Sequence, residues 1–281
     1  MIEFKDVFKI YDKRKVLDGM SLKINEGEIF GFLGPNGAGK STSVSIACGL
    51  KKPSSGSVTI GNGLNPESSS ARKILGLVPQ SIALYPDLTA SENLSFFASI
   101  YGLSGAKLKN RVEWALEAAD LVEHKNRRAG VFSGGMQRRL NIACALMHDP
   151  QIIIMDEPTV GVDPQSRNRI FETVKDLRSK GKTVIYVTHY MEEAEKLCDR
   201  IGIIDMGKIL AVDTTQGLIA SHKLSPVVEV SFGETTTVYE TDNPLKELEK
   251  LQKTGGMTSF NVRQPSLEDV FLKMTGHKLR D

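Results

Sequence analysis

Apolar and polar positions fall into blocks along the chain. Ile29–Leu33 (IFGFL) is a short unbroken apolar run that ends at a glycine-rich loop, and the uncharged residues 41–50 that follow have the length of a helix. Further unbroken runs lie at Leu75–Val78, 152–155 (IIIM), 184–187 and 201–204. Continuous apolar runs of this length mark strands buried on both faces. Separated by helical patterns, they predict an α/β fold with a parallel sheet covered on both sides. The opening segment differs. Phe4, Val16, Leu22 and Ile24 stand among polar residues, which predicts antiparallel, half-exposed strands.

Between Gln80 and Met147 the strand pattern stops. Residues 91–101, 108–121 and 135–147 carry apolar residues at helical spacing, so about 88–148 reads as a helical insertion. After about Gly217 the pattern changes again. Val227–Phe232 and 236–239 alternate like strands, Pro244–Lys253 is helical, and 266–274 is a short last helix with Val270, Phe271 and Met274 on a core face. The expected division is a main domain over 1–217 and an appended α+β module over 218–281.

Composition adds exclusions. With 281 residues, 40% apolar and 25% charged, the chain is long enough for a full core and is not disordered, collagen-like or coiled-coil. A net charge of +2 gives no whole-chain field for nucleic acid. Cys48, Cys144 and Cys198 share no metal or redox spacing and read as small buried residues in a reducing compartment. The N-terminus lacks the apolar run of a signal peptide. The uncharged residues 74–86 hold two prolines and fall short of the roughly 20 apolar residues that span a bilayer. A soluble chain is expected.

The central motif is GPNGAGKS, from Gly34 through Pro35, Asn36, Gly37, Ala38, Gly39 and Lys40 to Ser41, between an apolar strand and a helix. Glycines let backbone N–H groups close around phosphate oxygens, and the helix N-terminus adds unpaired donors and positive potential. Lys40 would reach the β- and γ-phosphates, Ser41 a Mg²⁺ ion, and Thr42 the α-phosphate. A second motif, IIIMDE, delivers two carboxylates at the end of a buried strand, where ligands bind in open α/β sheets. Asp156 would hold Mg²⁺ and Glu157 would polarise the attacking water. Arg138 and Arg139 read as a solvated helix face, and Glu192 and Glu193 as the solvent side of a later helix. His124, His148, His222 and His277 have no partners in spacing.

The segment FSGGMQRRL, residues 132–140, resembles the signature sequence of ATP-binding cassette (ABC) ATPases, and the resemblance covers roughly residues 1–215. It implies an α/β P-loop NTPase fold of the ABC nucleotide-binding type, with an antiparallel β subdomain, a helical insertion and a small C-terminal α+β extension. Carried over, it makes Tyr11 the aromatic that stacks on adenine and Gln80 the glutamine that contacts Mg²⁺ and water and senses the membrane partner. Ser133, Gly134 and Gly135 become the signature that closes on nucleotide held by another subunit. Residues 160–163 match the D-loop, and His189 the histidine beside the γ-phosphate. The signature departs at Phe132, where the family usually has Leu, and at Met136, where it usually has Gln. The SGGM pattern and the tail PSLEDVFLKMTG are similar to the drug-, antibiotic- and sodium-export (daunorubicin-resistance-like) branch.

The resemblance therefore implies an ATPase subunit that dimerises around two ATP and Mg²⁺, with itself or a close paralogue, and drives a separate membrane permease. It would sit in the cytoplasm on the inner face of the membrane, with 81–92, including Leu84 and Tyr85, docking the permease. The rival reading is a soluble cassette acting on ribosomes or DNA. Against it stand a single phosphate loop and only 93 residues (133 − 40) between Lys40 and Ser133. A non-hydrolysing nucleotide-binding regulator is disfavoured by the presence of both Glu157 and His189.

Overall fold

The computed structural model describes residues 1–276, so His277 lies outside the described residues. The chain divides into two compact units, one ending at Val212 and one starting at Asp213.

The first unit opens with β1 (Ile2–Tyr11) and β2 (Arg14–Ile24), runs through β3 (Ile29–Leu33), passes the glycine loop into α1 (Lys40–Ala47), and returns as β4 (Ser55–Ile60). β1 pairs antiparallel with β2 and β4, giving a three-stranded sheet of order β2-β1-β4. α2 (Ser69–Ile74) leads into β5 (Leu75–Val78). Three helices follow: α3 (Ala90–Ile100), α4 (Gly105–Ala118) and α5 (Gly134–Ala145). The chain then alternates through β6 (Ile152–Asp156), α6 (Pro164–Ser179), β7 (Thr183–Thr188), α7 (Met191–Leu197), β8 (Arg200–Asp205) and β9 (Lys208–Asp213). The second sheet has the order β5-β6-β7-β3-β8-β9, and its pairs from β5 to β8 are parallel.

Each unbroken apolar run of the sequence is a strand of this sheet, buried on both faces. One face packs on α1 and the antiparallel sheet, through Ile2, Phe4, Leu22, Phe32, Val44, Ile154, Ile185 and Val187. The other packs on α5, α6 and α7, through Ile142, Ile153, Phe171, Val174, Val184 and Leu197. The opening strands are antiparallel and half exposed, as their alternation predicts. Phe4, Leu22 and Ile24 are buried because their side of the sheet faces the parallel sheet.

The helical insertion has its own core of Leu94, Ala98, Leu116, Leu121, Phe132, Leu140 and Cys144. Phe132 fills an apolar niche there. Thr89 and Glu92 form a capping box that starts α3. The fully buried Asn93 takes the backbone N–H of Tyr85 and donates to the carbonyls of Tyr85 and Leu88, folding that loop onto the helix.

The second unit holds α8 (Thr215–Ser221), β10 (Val227–Phe232), β11 (Thr235–Glu240), α9 (Pro244–Lys253), β12 (Ser259–Arg263) and α10 (Leu267–Thr275). Its antiparallel sheet, of order β11-β10-β12, packs Val228, Val230 and Val262 against Leu248 and Leu251 of α9. The expected boundary after Gly217 moves five residues upstream (217 − 212), because α8 packs on α10 within this unit.

Candidate functional site

The glycine loop connects the C-terminal end of β3 to α1, and its shape follows from what surrounds it. A Cβ on Gly34 would lie 2.2 Å from the Ile204 carbonyl oxygen, so only glycine lets the loop pass β8. Gly39 has φ 110°, and a Cβ there would sit 2.7 Å from Leu17 and 3.0 Å from the Val16 carbonyl. Ala38 is buried and closes the turn through its N–H to the Pro35 carbonyl, at 3.2 Å. No side chain caps α1 and no acidic residue lies in its first turn, so its N-terminal donors remain available to an anion.

Lys40 is almost wholly buried. Its Nζ donates to the carbonyls of Gly34 at 2.6 Å and Pro35 at 3.1 Å, and stands 3.8 Å from Glu157 Oε1. Burial pushes the ammonium below its usual pKa, opposed by Glu157 and Asp156.

β7 lies between β3 and β6, so the carboxylates at the end of β6 emerge two strands from the loop, on the same end of the sheet. Asp156 is buried, and burial, then the neighbouring Glu157, raises its carboxyl pKa against the pull of Lys40. Glu157 has a left-handed backbone, φ 48°, held by its N–H on the Val187 carbonyl at 2.9 Å. Its carboxylate accepts from Gln80 Nε2 at 2.8 Å and meets His189 Nδ1 at 3.1 Å. Three residues from distant parts of the chain, Lys40, Gln80 and His189, thus converge on one buried carboxylate.

A cleft of about 160 Å³ is lined by Val16, Pro35, Asn36, Gly37, Gly39, Lys40, Ser41, Thr42, Gln80 and Glu157. Ser41 is exposed at the start of α1. Among the described residues no cluster of three or more His, Cys, Asp or Glu could hold a metal by itself. The donors present are a hydroxyl, an amide oxygen and a carboxylate, which suit a hard cation completed by phosphate and water, as Mg²⁺ requires.

The other expected residues lie elsewhere. Tyr11 is not among the cleft residues. It ends β1, with Lys9 and Lys51 Nζ atoms 5.0 and 5.2 Å from its ring centroid. Val16, which lines the cleft instead, carried no signal beyond being an apolar residue in a half-polar strand. Ser133 caps α5, accepting from Met136 N–H at 3.3 Å, and does not line the cleft with Lys40. A Cβ on Gly135 would fall 2.2 Å from Ser166 Oγ and 2.7 Å from Asp163 Oδ2, so this glycine serves packing against α6 of the same chain. Gly134 meets nothing closer than the Gly161 carbonyl at 3.9 Å.

Two surface readings are corrected. Arg138 is buried and bonded to backbone carbonyls, and Arg139 donates to Ala119 and Asp120, so the pair is not a solvated face. Glu193 is buried, and its Oε2 accepts from Thr159 at 2.9 Å, Tyr186 at 3.0 Å and Thr188 at 3.2 Å. Glu192 is exposed as expected. Leu84 is half-buried against the helical core, while Tyr85 is exposed.

These features define a nucleotide-binding ATPase. Residues 17–160 match the family model described as ABC transporter. The chain is 42% identical to the linearmycin resistance ATP-binding protein LnrL of Bacillus subtilis, over all of both chains. It is 39% identical to the Nod factor export ATP-binding protein I of Cupriavidus metallidurans, over all of this chain and 99% of that one. A solved ATP-binding subunit of an ABC transporter superposes with a TM-score of 0.77 at 26% identity, covering 98% of this chain and 99% of that one. A dimeric bacterial ABC transporter cassette gives 0.70 at 33%, covering 76% and 98%. The chain belongs to the ABC transporter family. It is an ATP-binding subunit of such a transporter, and an ATPase.

Proposed function

We propose that the chain powers an exporter of a drug, antibiotic, lipid-like compound or ion. It pairs with a second copy or a close paralogue around two ATP and drives a separate permease. Two named relatives act in linearmycin resistance and Nod factor export, which supports export. Among the described residues no helix is long and apolar enough to cross a membrane. In this reading a permease holds the chain on the inner face of the membrane, and Tyr85, 47% exposed and edge-on to Phe96 at 4.7 Å, supports docking on that side.

Gly34, Gly37 and Gly39 shape the loop that wraps the phosphates, and Pro35, Asn36 and Ala38 complete its turn. Lys40 turns from the Gly34 and Pro35 carbonyls to the β- and γ-phosphate oxygens. Thr42 donates to the α-phosphate, and Tyr11 offers its ring to adenine. Ser41, Gln80 and Asp156 would hold Mg²⁺, which would supply charge neutralisation to the phosphate oxygens. Glu157 orients water and accepts its proton as the water oxygen bonds to the γ-phosphorus and the bond to the bridging oxygen breaks, leaving ADP and phosphate. His189 steadies Glu157 and stands toward the γ-phosphate. Ser133, Gly134 and Gly135 face the nucleotide of the opposite subunit, since in their own subunit they lie outside the cleft.

The convergence of Gln80, His189 and Lys40 on Glu157 carries this reading. Glu157→Gln keeps the size of the side chain but cannot take a proton. Hydrolysis of radiolabelled ATP should fall at least about 100-fold, in the range a positioned general base supplies. Size-exclusion chromatography with ATP should show a dimer accumulating. Turnover near that of the unaltered chain would refute the role of Glu157.

A further inference from the structure

The signature helix α5 carries a buried cation that the mechanism above does not use. Arg138 is 5% exposed, and among the described residues no carboxylate pairs with it. Its guanidinium donates through Nη1 to the Pro79 carbonyl at 2.9 Å and through Nη2 to the Gln80 carbonyl at 2.6 Å, while Nε is buried without a partner. A charge held this way is poorly compensated, and hydrophobic packing would serve stability at least as well. What the arrangement supplies is a fixed geometry: a planar fork gripping two consecutive carbonyls. One turn further along the same face, the buried Asn141 accepts the Ala83 N–H at 3.1 Å through Oδ1. Three bonds from α5 therefore hold segment 79–83 and leave the Gln80 side chain to point the other way, to Glu157 Oε2 at 2.8 Å.

Ser133 caps the N-terminus of α5. One rigid helix thus has the signature at its N-terminus and, one to two turns later, the residues that hold Gln80. We propose that Arg138, with Asn141, is a positioning residue that ties the signature helix to the Gln80 backbone. A displacement of the helix N-terminus is then transferred to the carboxylate of Glu157 in the same subunit. The path uses contiguous hydrogen bonds and a stiff element, with no conformational change required inside α5. The inference rests on the roles of Gln80 and Glu157 given above.

The test is a double-mutant cycle on the full chain, reading kcat, KM for ATP and the Kd of a fluorescent ATP analogue. Lysine at 138 keeps the charge but cannot grip two carbonyls in one plane. Arg138→Lys should lower kcat roughly tenfold, a coupling typical of residues in one hydrogen-bond network, with Kd and KM changed less than about twofold. In the Gln80→Ala background the same substitution should have no further effect on kcat, because its target is gone.

If Arg138→Lys lowers kcat by the same factor in both backgrounds, Arg138 acts as a structural residue and the proposal falls while the Gln80 assignment stands. If it leaves kcat unchanged in the otherwise unaltered chain, the proposal also falls. If Gln80→Ala itself leaves kcat unchanged, the role of Gln80 is wrong, and the proposal falls with it. Should Arg138→Lys fail to fold, Asn141→Ser is read in the same cycle, with a smaller loss expected and the same outcomes decisive.

Discussion

Replacing Glu193 by alanine removes one acceptor shared by three buried hydroxyls. Oε2 accepts hydrogen bonds from Thr159, Tyr186 and Thr188, which are at most 1% exposed. Burial, then the Glu193 charge, pushes the Tyr186 phenol far above its ordinary pKa, so it remains a donor. Deleting one partner of such a buried charged network costs about 3–5 kcal/mol. Two effects soften this. Thr159 Oγ1 and Tyr186 Oη stand 3.4 Å apart and can bond each other, which recovers about 1 kcal/mol. Arg167, whose buried Nε lies 3.7 Å from Oε1, is 42% exposed in its side chain, so its charge keeps contact with water. The expected loss is about 2–4 kcal/mol, which at about 2–4 °C per kcal/mol for a unit of this size lowers Tm by about 4–16 °C. Scanning calorimetry and urea melts measure it. Glu193→Gln retains one acceptor oxygen and should lose about half as much. A Glu193→Ala chain that melts within about 1 °C of the unaltered one would refute the account, because the buried hydroxyl protons left without an acceptor cannot be that cheap.

Gly34→Ala would set a Cβ 2.2 Å from a backbone carbonyl that has no freedom to move, so calorimetry should show ATP binding lost and thermal melts a destabilisation of about 1–3 kcal/mol. His148 stacks on Tyr101 at 3.8 Å between ring centroids and has one ring nitrogen buried without a partner. Burial holds its pKa below 6.5, against a bond to the Leu75 carbonyl and with Arg111, Asp149 and Lys182 nearby. The unfolded chain takes up this proton first as pH falls, so the contribution is complete above 6.5 and lost as pH drops below it toward the depressed folded value. Urea midpoints measured from pH 7.5 to 5 should therefore fall less steeply in His148→Gln than in the unaltered chain.

Much of the main sheet was legible because a strand buried on both faces has no polar positions to interrupt it. The runs at Ile29–Leu33 and Leu75–Val78 coincide with β3 and β5. The phosphate loop and Asp156 with Glu157 were legible because their chemistry is local in sequence. The short strands β4, β9 and β12 were missed. They lie at sheet edges, and few of their side chains are buried. Arg138 and Glu193 were misread for a related reason. Their partners lie 58 and 34 residues away, at Gln80 and Thr159, and a charged residue shows its burial only once those partners are known. The φ of Glu157 likewise left no trace in residue type.

That left-handed glutamate has a consequence for how the protein would evolve. A side chain other than glycine or asparagine in this backbone region costs roughly 1–3 kcal/mol, so the chain gives up heat resistance to place its carboxylate there. Populations selected only to survive warming should accumulate glycine or asparagine at position 157, becoming hardier and inert together. Populations also required to hydrolyse ATP should keep the glutamate and find their added robustness elsewhere in the fold.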